Sequence, residues 1–420
     1  MKLLPGAPVE RSVAIAGGGI GGLTLALAFD AAGIDCFVIE AATEIRPLGV
    51  GINLLPHAVR VLSDISLEER LAAGSVVTAQ LAYFNRHGQR IWSEPRGRDA
   101  GYDHPQFSLH RGALQMTLLK AVHERIGMGR VITGQAVAGF EDDEDGVMVR
   151  LVGAGDGAAS NIRARLLVGA DGIHSAVRRQ LHPNDGGPRY SGRMLWRAVT
   201  RSRPFLDGRT MIMAGYQNAK FVGYPISPVL VDGRQDINWI AELAVPGDAP
   251  PPQDWSRLVP TSAFRQPFAT WRFDWLDVPA LIAGAAAAYE YPLADRDPLE
   301  RWGHGRVTLL GDAAHPMYPI GSNGASQAIL DAEALAQALA ANPDAPSALA
   351  AYENARRPPT TQIVLANRQN GPEQVMQLAE ERAPDGFDDV EDVIPRSELE
   401  AIADRYKQVA GFAREQVNRK

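Results

Sequence analysis

Val13-Ala14-Ile15-Ala16-Gly17-Gly18-Gly19-Ile20-Gly21-Gly22 decides how the chain begins. The four apolar residues fit a buried parallel strand. Gly17, Gly19 and Gly22 then occupy the three fixed places of G-x-G-x-x-G. One glycine makes the tight turn, one lets backbone approach a pyrophosphate, and one allows close helix–strand contact. Residues 23–32 continue as a helix of small and aliphatic residues, Gly33 ends it, and Cys36-Phe37-Val38-Ile39 returns as a second strand. The helix N-terminus faces an anion with unsatisfied N–H groups and its positive dipole end. Glu40 closes the second strand, where a carboxylate accepts from ribose hydroxyls. Strand, glycine turn, helix, strand and acid predict a doubly wound α/β sheet that binds a dinucleotide. The pattern alone leaves FAD and NAD both open.

Composition narrows the remaining classes. The 420 residues are 45% hydrophobic, enough for two or three domains. Lys and Arg number 42 against 49 Asp and Glu, a net charge of −7, which argues against a nucleic-acid partner. The single cysteine, Cys36, lies inside an apolar strand and reads as core. One cysteine excludes a disulfide framework and a Cys-rich metal site and suits a reducing compartment. No run approaches the roughly 18 apolar residues of a membrane span, and residues 1–12 lack a signal-peptide pattern. A cytoplasmic location, with no membrane or metal, is the expectation.

The middle of the chain changes character. Residues 194–200, 210–214, 220–225 and 237–243 are aromatic and β-branched and predict successive antiparallel strands separated by Asp-Gly and Gly turns. A proline cluster at Pro246 and Pro250 to Pro252 punctuates the chain, and a helical region is expected over 254–285. Nucleotide-domain character resumes with a strand at 306–310 and a long small-residue helix near 324–341. The predicted division is an FAD-binding domain over 1–75, 100–187 and 286–365, a sheet-rich substrate domain over 76–99 and 188–285, and a helical C-terminal segment over 366–420. Residues 373–392 carry eight acids and one arginine and read as a solvated face.

Two more motifs follow apolar strands and open helices: Gly169-Ala170-Asp171-Gly172-Ile173-His174-Ser175-Ala176-Val177-Arg178, and Gly311-Asp312-Ala313-Ala314-His315-Pro316 with Gly321-Ser322-Asn323-Gly324-Ala325. In this order and spacing the three motifs resemble the class A flavoprotein aromatic hydroxylases, the family of 4-hydroxybenzoate and salicylate hydroxylases. The resemblance reaches to about Pro359. It implies a Rossmann-like FAD domain interrupted by a sheet-rich substrate domain, and FAD with NADH or NADPH as reductant. It also implies oxygen transfer to an electron-rich aromatic through a C4a-hydroperoxyflavin.

Carried over, the resemblance gives Gly17, Gly19, Gly22 and Glu40 to the ADP half of FAD. Arg111 and Gln115, in His110-Arg111-Gly112-Ala113-Leu114-Gln115, go to the pyrophosphate region. Asp171 supports pyrophosphate and nicotinamide contacts, and Asp312 meets the ribityl hydroxyls. Pro319, Gly321 and Asn323, with Gly324 and Ala325, lie against the isoalloxazine and form the catalytic turn. Arg46 and Gly51 sit where the family has a mobile arginine loop, with simple solvation of Arg46 equally open, and Val137 joins the cofactor set. His315 and Arg178 read as packing and hydrogen-bonding residues.

Within the family, residues 44–53, 92–97 and 323–331 resemble the phenazine-hydroxylating branch, whereas 215–220 departs from it. That implies hydroxylation, with or without decarboxylation, of an electron-rich aromatic or heteroaromatic substrate. A hydroxybenzoate or aminohydroxybenzoate substrate, and a non-catalytic FAD-binding protein, are the alternatives. A flavin halogenase is excluded by the missing W-x-W-x-I-P stretch. Met213, Phe221, Tyr224 and Trp239 are the expected substrate-pocket residues, with Met211 beside Met213 by strand alternation. Arg193 and Arg197 are the candidate carboxylate anchors. The expected assembly is a monomer or homodimer.

Overall fold

A computed structural model describes residues 12–153, 159–245 and 257–418. The apolar run Val13–Ala16 becomes the central strand of a five-stranded parallel sheet. In order its strands are Val307–Leu309, Leu166–Gly169, Val13–Ala16, Cys36–Glu40 and Val131–Thr133. Such strands are covered on both faces and so read as continuous apolar stretches. Helix Ile20–Ala31 packs on one face against helices Gly324–Ala341 and Arg111–Arg125. It can lie flat there because the side chains it presents, Leu23, Leu25, Ala26 and Leu27, are aliphatic or small and wholly buried. Cys36 is buried in the second strand, and burial pushes its thiol up to about 12, so it is an inert core residue.

The second layer is an eight-stranded sheet built from Leu258–Pro260, Ala287–Asp295, Arg189–Ser202, Gln235–Ala244, Ala219–Pro225, Thr210–Tyr216, Gln80–Phe84 and Arg90–Pro95, in that order. All four strands expected in the middle of the chain are present. Ala287–Asp295 pairs with Arg189–Ser202, so the large sheet extends past residue 286, where the sequence places the return to the nucleotide domain. The apolar alternation of this strand is short and reads equally well in either sheet.

The helical reading of 254–285 is corrected. Residues 254–256 and the proline cluster lie outside the described residues. From Leu258 onward the chain forms a short strand, two single 3-10 turns, a two-stranded hairpin and one brief helix, Val278–Ala283. Pro260, Pro267 and Pro279 remove backbone donors and limit helix length. The aromatic residues between them act as plugs on one sheet face: Phe264 stacks on Trp196 with centroids 4.8 Å apart, and Phe268 meets Trp271 edge-on at 5.1 Å.

The opposite face of that sheet is covered by the C-terminal segment. Glu381, Asp385, Asp388, Asp389, Glu391 and Asp392 are exposed, as the solvated-face reading of 373–392 expects, but Glu373 and apolar residues of the segment are buried. Val375, Met376 and Ala379 from helix Gln374–Arg382, with Ile394 and Leu399, bury themselves against Leu81, Tyr83, Met211 and Met213. Glu373 is itself buried. It takes a 2.6 Å ion pair from Lys220, which also pairs with Glu242 at 2.8 Å, and Glu242 pairs with Arg193 at 3.1 Å. Burial disfavours the Lys220 ammonium, but the two carboxylates outweigh it and hold its pKa above the ordinary value. No helix among the described residues is long and apolar enough to cross a membrane.

The same segment seals His57, in helix Pro56–Asp64, against Phe412 with ring centroids 5.8 Å apart. Burial, reinforced by Arg356 and Arg60, pushes His57 down to about 3. The unfolded chain takes a proton there near pH 6.5 and the folded chain does not, so this residue lowers stability as pH falls from 6.5 towards 3. At pH 5 the loss relative to pH 7 is about 2 kcal/mol, at roughly 1.36 kcal/mol per pKa unit. Urea unfolding at both pH values is expected to show this loss in the wild type and a smaller one in His57→Phe. Equal losses in the two proteins would refute it.

Candidate active site

Three turns leave the carboxyl ends of three neighbouring parallel strands and meet in one cleft. In the first, Gly17 has φ +108° and a Cβ there would lie 2.3 Å from the Ala170 carbonyl oxygen, so the first motif is pressed against the second. A Cβ on Gly22 would lie 2.0 Å from the Gly17 carbonyl oxygen, which is the close helix–strand contact. Nothing approaches the corresponding point on Gly19 within 4 Å, leaving that face open to a bound group. Glu40 is fixed beside the turn, its two oxygens accepting 2.7 Å bonds from the Gly18 and Ala42 amides. Gln115 donates from Nε2 to the Gly18 carbonyl at 2.8 Å.

The second turn carries Asp171. One carboxylate oxygen accepts from the Ala176 amide at 2.8 Å, while Oδ1 is buried without a partner among the described residues. Burial raises its pKa, opposed by hydrogen bonds from Ser175 and Ala176. Arg178, seven residues on, is buried and ties the second turn to the third. Its Nη1 donates to the carbonyls of Ala313 and Ala314 at 3.1 and 2.9 Å, and its Nε to Asp185 at 2.5 Å.

In the third turn Asp312 opens onto the cleft while crowded by protein on its other sides. That crowding raises its pKa, with His315 and Arg111 pulling it back. Arg111 faces it from the start of helix Arg111–Arg125, also solvent-accessible at the surface of the cleft. Crowding lowers its pKa, opposed by Asp312. Below the turn, Asp331 accepts from His315 Nε2 at 2.6 Å, from Arg356 Nε at 2.7 Å and from the Gly311 amide at 3.0 Å. Against the burial penalty, the His315 and Arg356 charges bring Asp331 down to about 2. His315 is a strut of the turn, its ring also lying 5.3 Å from Trp302.

Beyond this strut the chain turns sharply at Ile320–Ser322. Gly321 has φ +68° and Ser322, a non-glycine, φ +58°. Glycine adopts this conformation freely, but Ser322 is strained in it and is held only because neighbours fix it. Tyr406 is the fixing residue. Its hydroxyl donates to the Ile320 carbonyl at 3.1 Å, meets Asn367 Oδ1 at 2.8 Å and accepts from Asn323 Nδ2 at 2.9 Å. Pro319 precedes the turn and is exposed. Helix Gly324–Ala341 starts after it, with Gly324 and Ala325 half-buried, and the Gly324 Cβ position lies 4.0 Å from Asp312 Oδ1. Three acids (Glu40, Asp171 and Asp312), an arginine, an open glycine and a helix N-terminus in one cleft match the polar demands of a flavin dinucleotide, and the orphaned Asp171 oxygen leaves one acceptor for it.

Other expected site residues fall elsewhere. Arg46 is exposed and ion-paired with Glu44 at 2.7 Å, so the structure does not bring it into the cleft. Gly51 docks the two layers: its amide donates to Asn238 Oδ1 at 2.7 Å and its carbonyl accepts from Arg197 at 2.9 Å. Val137 packs in the core of the nucleotide domain. Phe221 and Trp239 are corrected outright. They lie on the far face of the large sheet, stacked on each other at 6.2 Å among the aromatic plugs. Strand alternation separates the two faces, but only packing decides which one meets the cleft.

Met213 and Tyr224 are on the near face, with the Tyr224 hydroxyl lying beside Arg197 and Asn238 of the docking contact. A pocket against Gly321 and Ser322 is walled by Met211, Met213, Leu81 and Leu55, and closed by Tyr406 and Phe412. Its cavity is about 10 Å³, room for one water. Admitting an aromatic ring therefore requires the unbranched, adaptable methionines or the C-terminal helices to shift. Tyr406 and Phe412 carry no motif, and no local sequence signal brings them to a turn more than eighty residues away.

A Cβ on Gly321 would lie 2.2 Å from the Tyr406 hydroxyl oxygen. Gly321→Val is therefore expected to unseat Tyr406, raising amide exchange along helix Arg396–Val409 at least tenfold while leaving Ile20–Ala31 protected. Unchanged exchange in both helices would show that the clamp tolerates the side chain.

The comparisons with known proteins agree with this cleft. The family described as the FAD binding domain matches residues 10–367. The phenazine 1,6-dicarboxylic acid hydroxylase PhzS of Lysobacter antibioticus is 48% identical over 364 residues, covering 86% of this chain and 89% of the relative. The aurachin C monooxygenase/isomerase of Stigmatella aurantiaca is 34% identical, covering 82% and 85%. Among solved structures, Klebsiella pneumoniae HpxO complexed with FAD and uric acid matches with a TM-score of 0.73 at 24% identity, over 93% of this chain and 97% of that one. A salicylate hydroxylase substrate complex matches at 0.71 and 22% identity, over 96% and 98%. The structural likenesses establish the fold, and the family match over most of the length establishes the rest: this chain belongs to the class A flavoprotein family and is an FAD-dependent aromatic monooxygenase.

Proposed function

We propose that the substrate is a planar aromatic acid of the phenazine-carboxylate type, hydroxylated with NAD(P)H and dioxygen. The observation that carries this reading is the apolar wall of Met211, Met213, Leu55 and Leu81 against the Gly321–Ser322 turn, whose unbranched methionines can part to admit a flat ring from a resting cavity of about 10 Å³. The likeness to the phenazine hydroxylase supports it.

Bound FAD supplies hydride acceptance from the nicotinamide and activation of dioxygen. The chain supplies binding, orientation and exclusion of water. Gly17, Gly19 and Gly22 would receive the pyrophosphate, and Glu40 the adenosine ribose. Asp171, Arg111 and Gln115 would support the phosphate region, and Asp312 would accept from the ribityl hydroxyls. The free amides of Gly324 and Ala325, at a helix N-terminus, would favour negative charge on the ring. Pro319, Gly321 and Asn323 shape the turn beside the reacting atoms, and the C-terminal helices keep bulk water out of it. His315 is read as a strut rather than a general base because it is buried below the turn against Trp302, with Nε2 on Asp331; its Nδ1 has no partner among the described residues, so its variant is the test of that reading.

Two measurements test these roles. Glu40→Ala removes a charged acceptor worth roughly 1.5–3 kcal/mol, so FAD affinity in apo-protein reconstitution is expected to drop by about one to two decades. An unchanged dissociation constant would remove Glu40 from the site. The second compares product formed per NAD(P)H consumed, with a panel of phenazine carboxylates, hydroxybenzoates and aminohydroxybenzoates scored by product mass. Asp312→Ala is expected to lose flavin or to oxidise NAD(P)H without product, whereas His315→Ala should keep measurable hydroxylation. A His315→Ala protein that binds and reduces flavin yet forms no product would make His315 an acid–base catalyst. Turnover of hydroxybenzoates alone would overturn the phenazine reading.

A further inference from the structure

The polar end of the pocket is made by residues to which the sequence assigned no role, although Glu94 and Arg96 fall in the 92–97 stretch that resembles the phenazine-hydroxylating branch. Arg96 and Glu94 on strand Arg90–Pro95 and its edge, Gln106 before strand Phe107–His110, and Lys407 from the C-terminal helix all line it. Glu94 takes Arg96 at 2.6 Å on one oxygen and Lys407 at 2.6 Å on the other. Two cations therefore share one buried carboxylate, and the other acid on Lys407, Asp404, is largely solvated. Arg96 is 8% exposed and its Nε has no partner among the described residues, nor does Gln106 Oε1. A guanidinium with five N–H groups and one carboxylate oxygen to satisfy them is a costly thing to bury unless something else completes it.

The arginines expected to anchor a carboxylate lie outside this pocket. Arg193 pairs with Glu242 and Asn370, and Arg197 donates from Nη2 to the Gly51 carbonyl in the docking contact, with its Nε left without a partner among the described residues. Resting on the aromatic-acid reading above, we propose that Arg96 binds the substrate's carboxylate and that Lys407 supports it by sharing Glu94. The substrate ring then runs from Arg96 along Met211 and Met213 to the Gly321–Ser322 turn. One surplus positive charge in a closed, largely apolar slot selects an anionic aromatic over its neutral analogue, because the neutral analogue leaves that charge without a counterion.

The test titrates yellow holoenzyme with phenazine-1-carboxylate and with phenazine-1-carboxamide, following flavin absorbance. Wild type is expected to bind the acid at least tenfold more tightly than the amide. Arg96→Gln should weaken the acid ten- to a hundredfold, leave the amide within threefold and keep its FAD. Wild-type acid affinity in Arg96→Gln, or no acid preference in the wild type, would overturn the anchor. If Arg96→Gln does not retain FAD, Lys407→Met takes its place, with a threefold or greater selective loss for the acid expected and an unchanged acid-to-amide ratio refuting the proposal. If neither phenazine binds wild type but 3-hydroxybenzoate does so with an Arg96-dependent affinity, the anchor stands and the phenazine reading falls.

Discussion

Arg178 holds the cofactor cleft in register. It sits in the short helix Ala176–Leu181 that follows the second turn, is almost wholly buried, and donates from Nη1 to the Ala313 and Ala314 carbonyls of the third. The first turn is locked to the second by the contact between Gly17 and Ala170. Three segments separated by about 150 residues each are thereby fixed against one another at the carboxyl ends of adjacent parallel strands. Ligands of open α/β sheets bind at that edge. Asp331 extends the same construction downwards, gathering His315, Arg356 and the Gly311 amide around one carboxylate. A cleft whose walls are tied this way can present Glu40, Arg111 and Asp312 at fixed separations, which is the condition for electrostatics to position a cofactor without rearrangement.

The large sheet solves a different problem. Its far face is closed by aromatic plugs between prolines, and its near face must both meet the cleft and exclude water. The C-terminal segment does the second. It is pinned by the buried Lys220–Glu242–Glu373 cluster at one end and by the Tyr406 hydroxyl at the other. Breaking one partner of such a cluster leaves an uncompensated charge, which is why buried ion pairs fix geometry more reliably than they add stability. The left-handed turn at Gly321 and Ser322 depends on that geometry, since Tyr406 occupies the space a side chain at Gly321 would need.

Local patterns in the sequence determined the first sheet almost completely. The apolar runs at 13–16 and 166–169, the glycine spacing, Glu40 and the strand ahead of Gly311 are short-range signals, and each produces the element it predicts. The helix expected near 324–341 forms over Gly324–Ala341. These signals work because turn chemistry and strand burial depend on neighbouring residues. They also carried the three motifs of the family, and so its cofactor.

Tertiary structure alone decided the rest. Alternation put Phe221 and Trp239 on one face and Met213 and Tyr224 on the other, but which face meets the cleft follows from what the chain packs there a hundred or more residues later. The acidic run at 373–392 hides a buried glutamate whose partner, Lys220, is 153 residues away. Arg96, Gln106, Tyr406 and Phe412 come from four different segments and share no spacing, so their convergence on one pocket is a property of the folded chain only. Backbone-centred features are written locally and survive in the sequence. The pocket that distinguishes one substrate from another is made by long-range packing, whose energy no local pattern records.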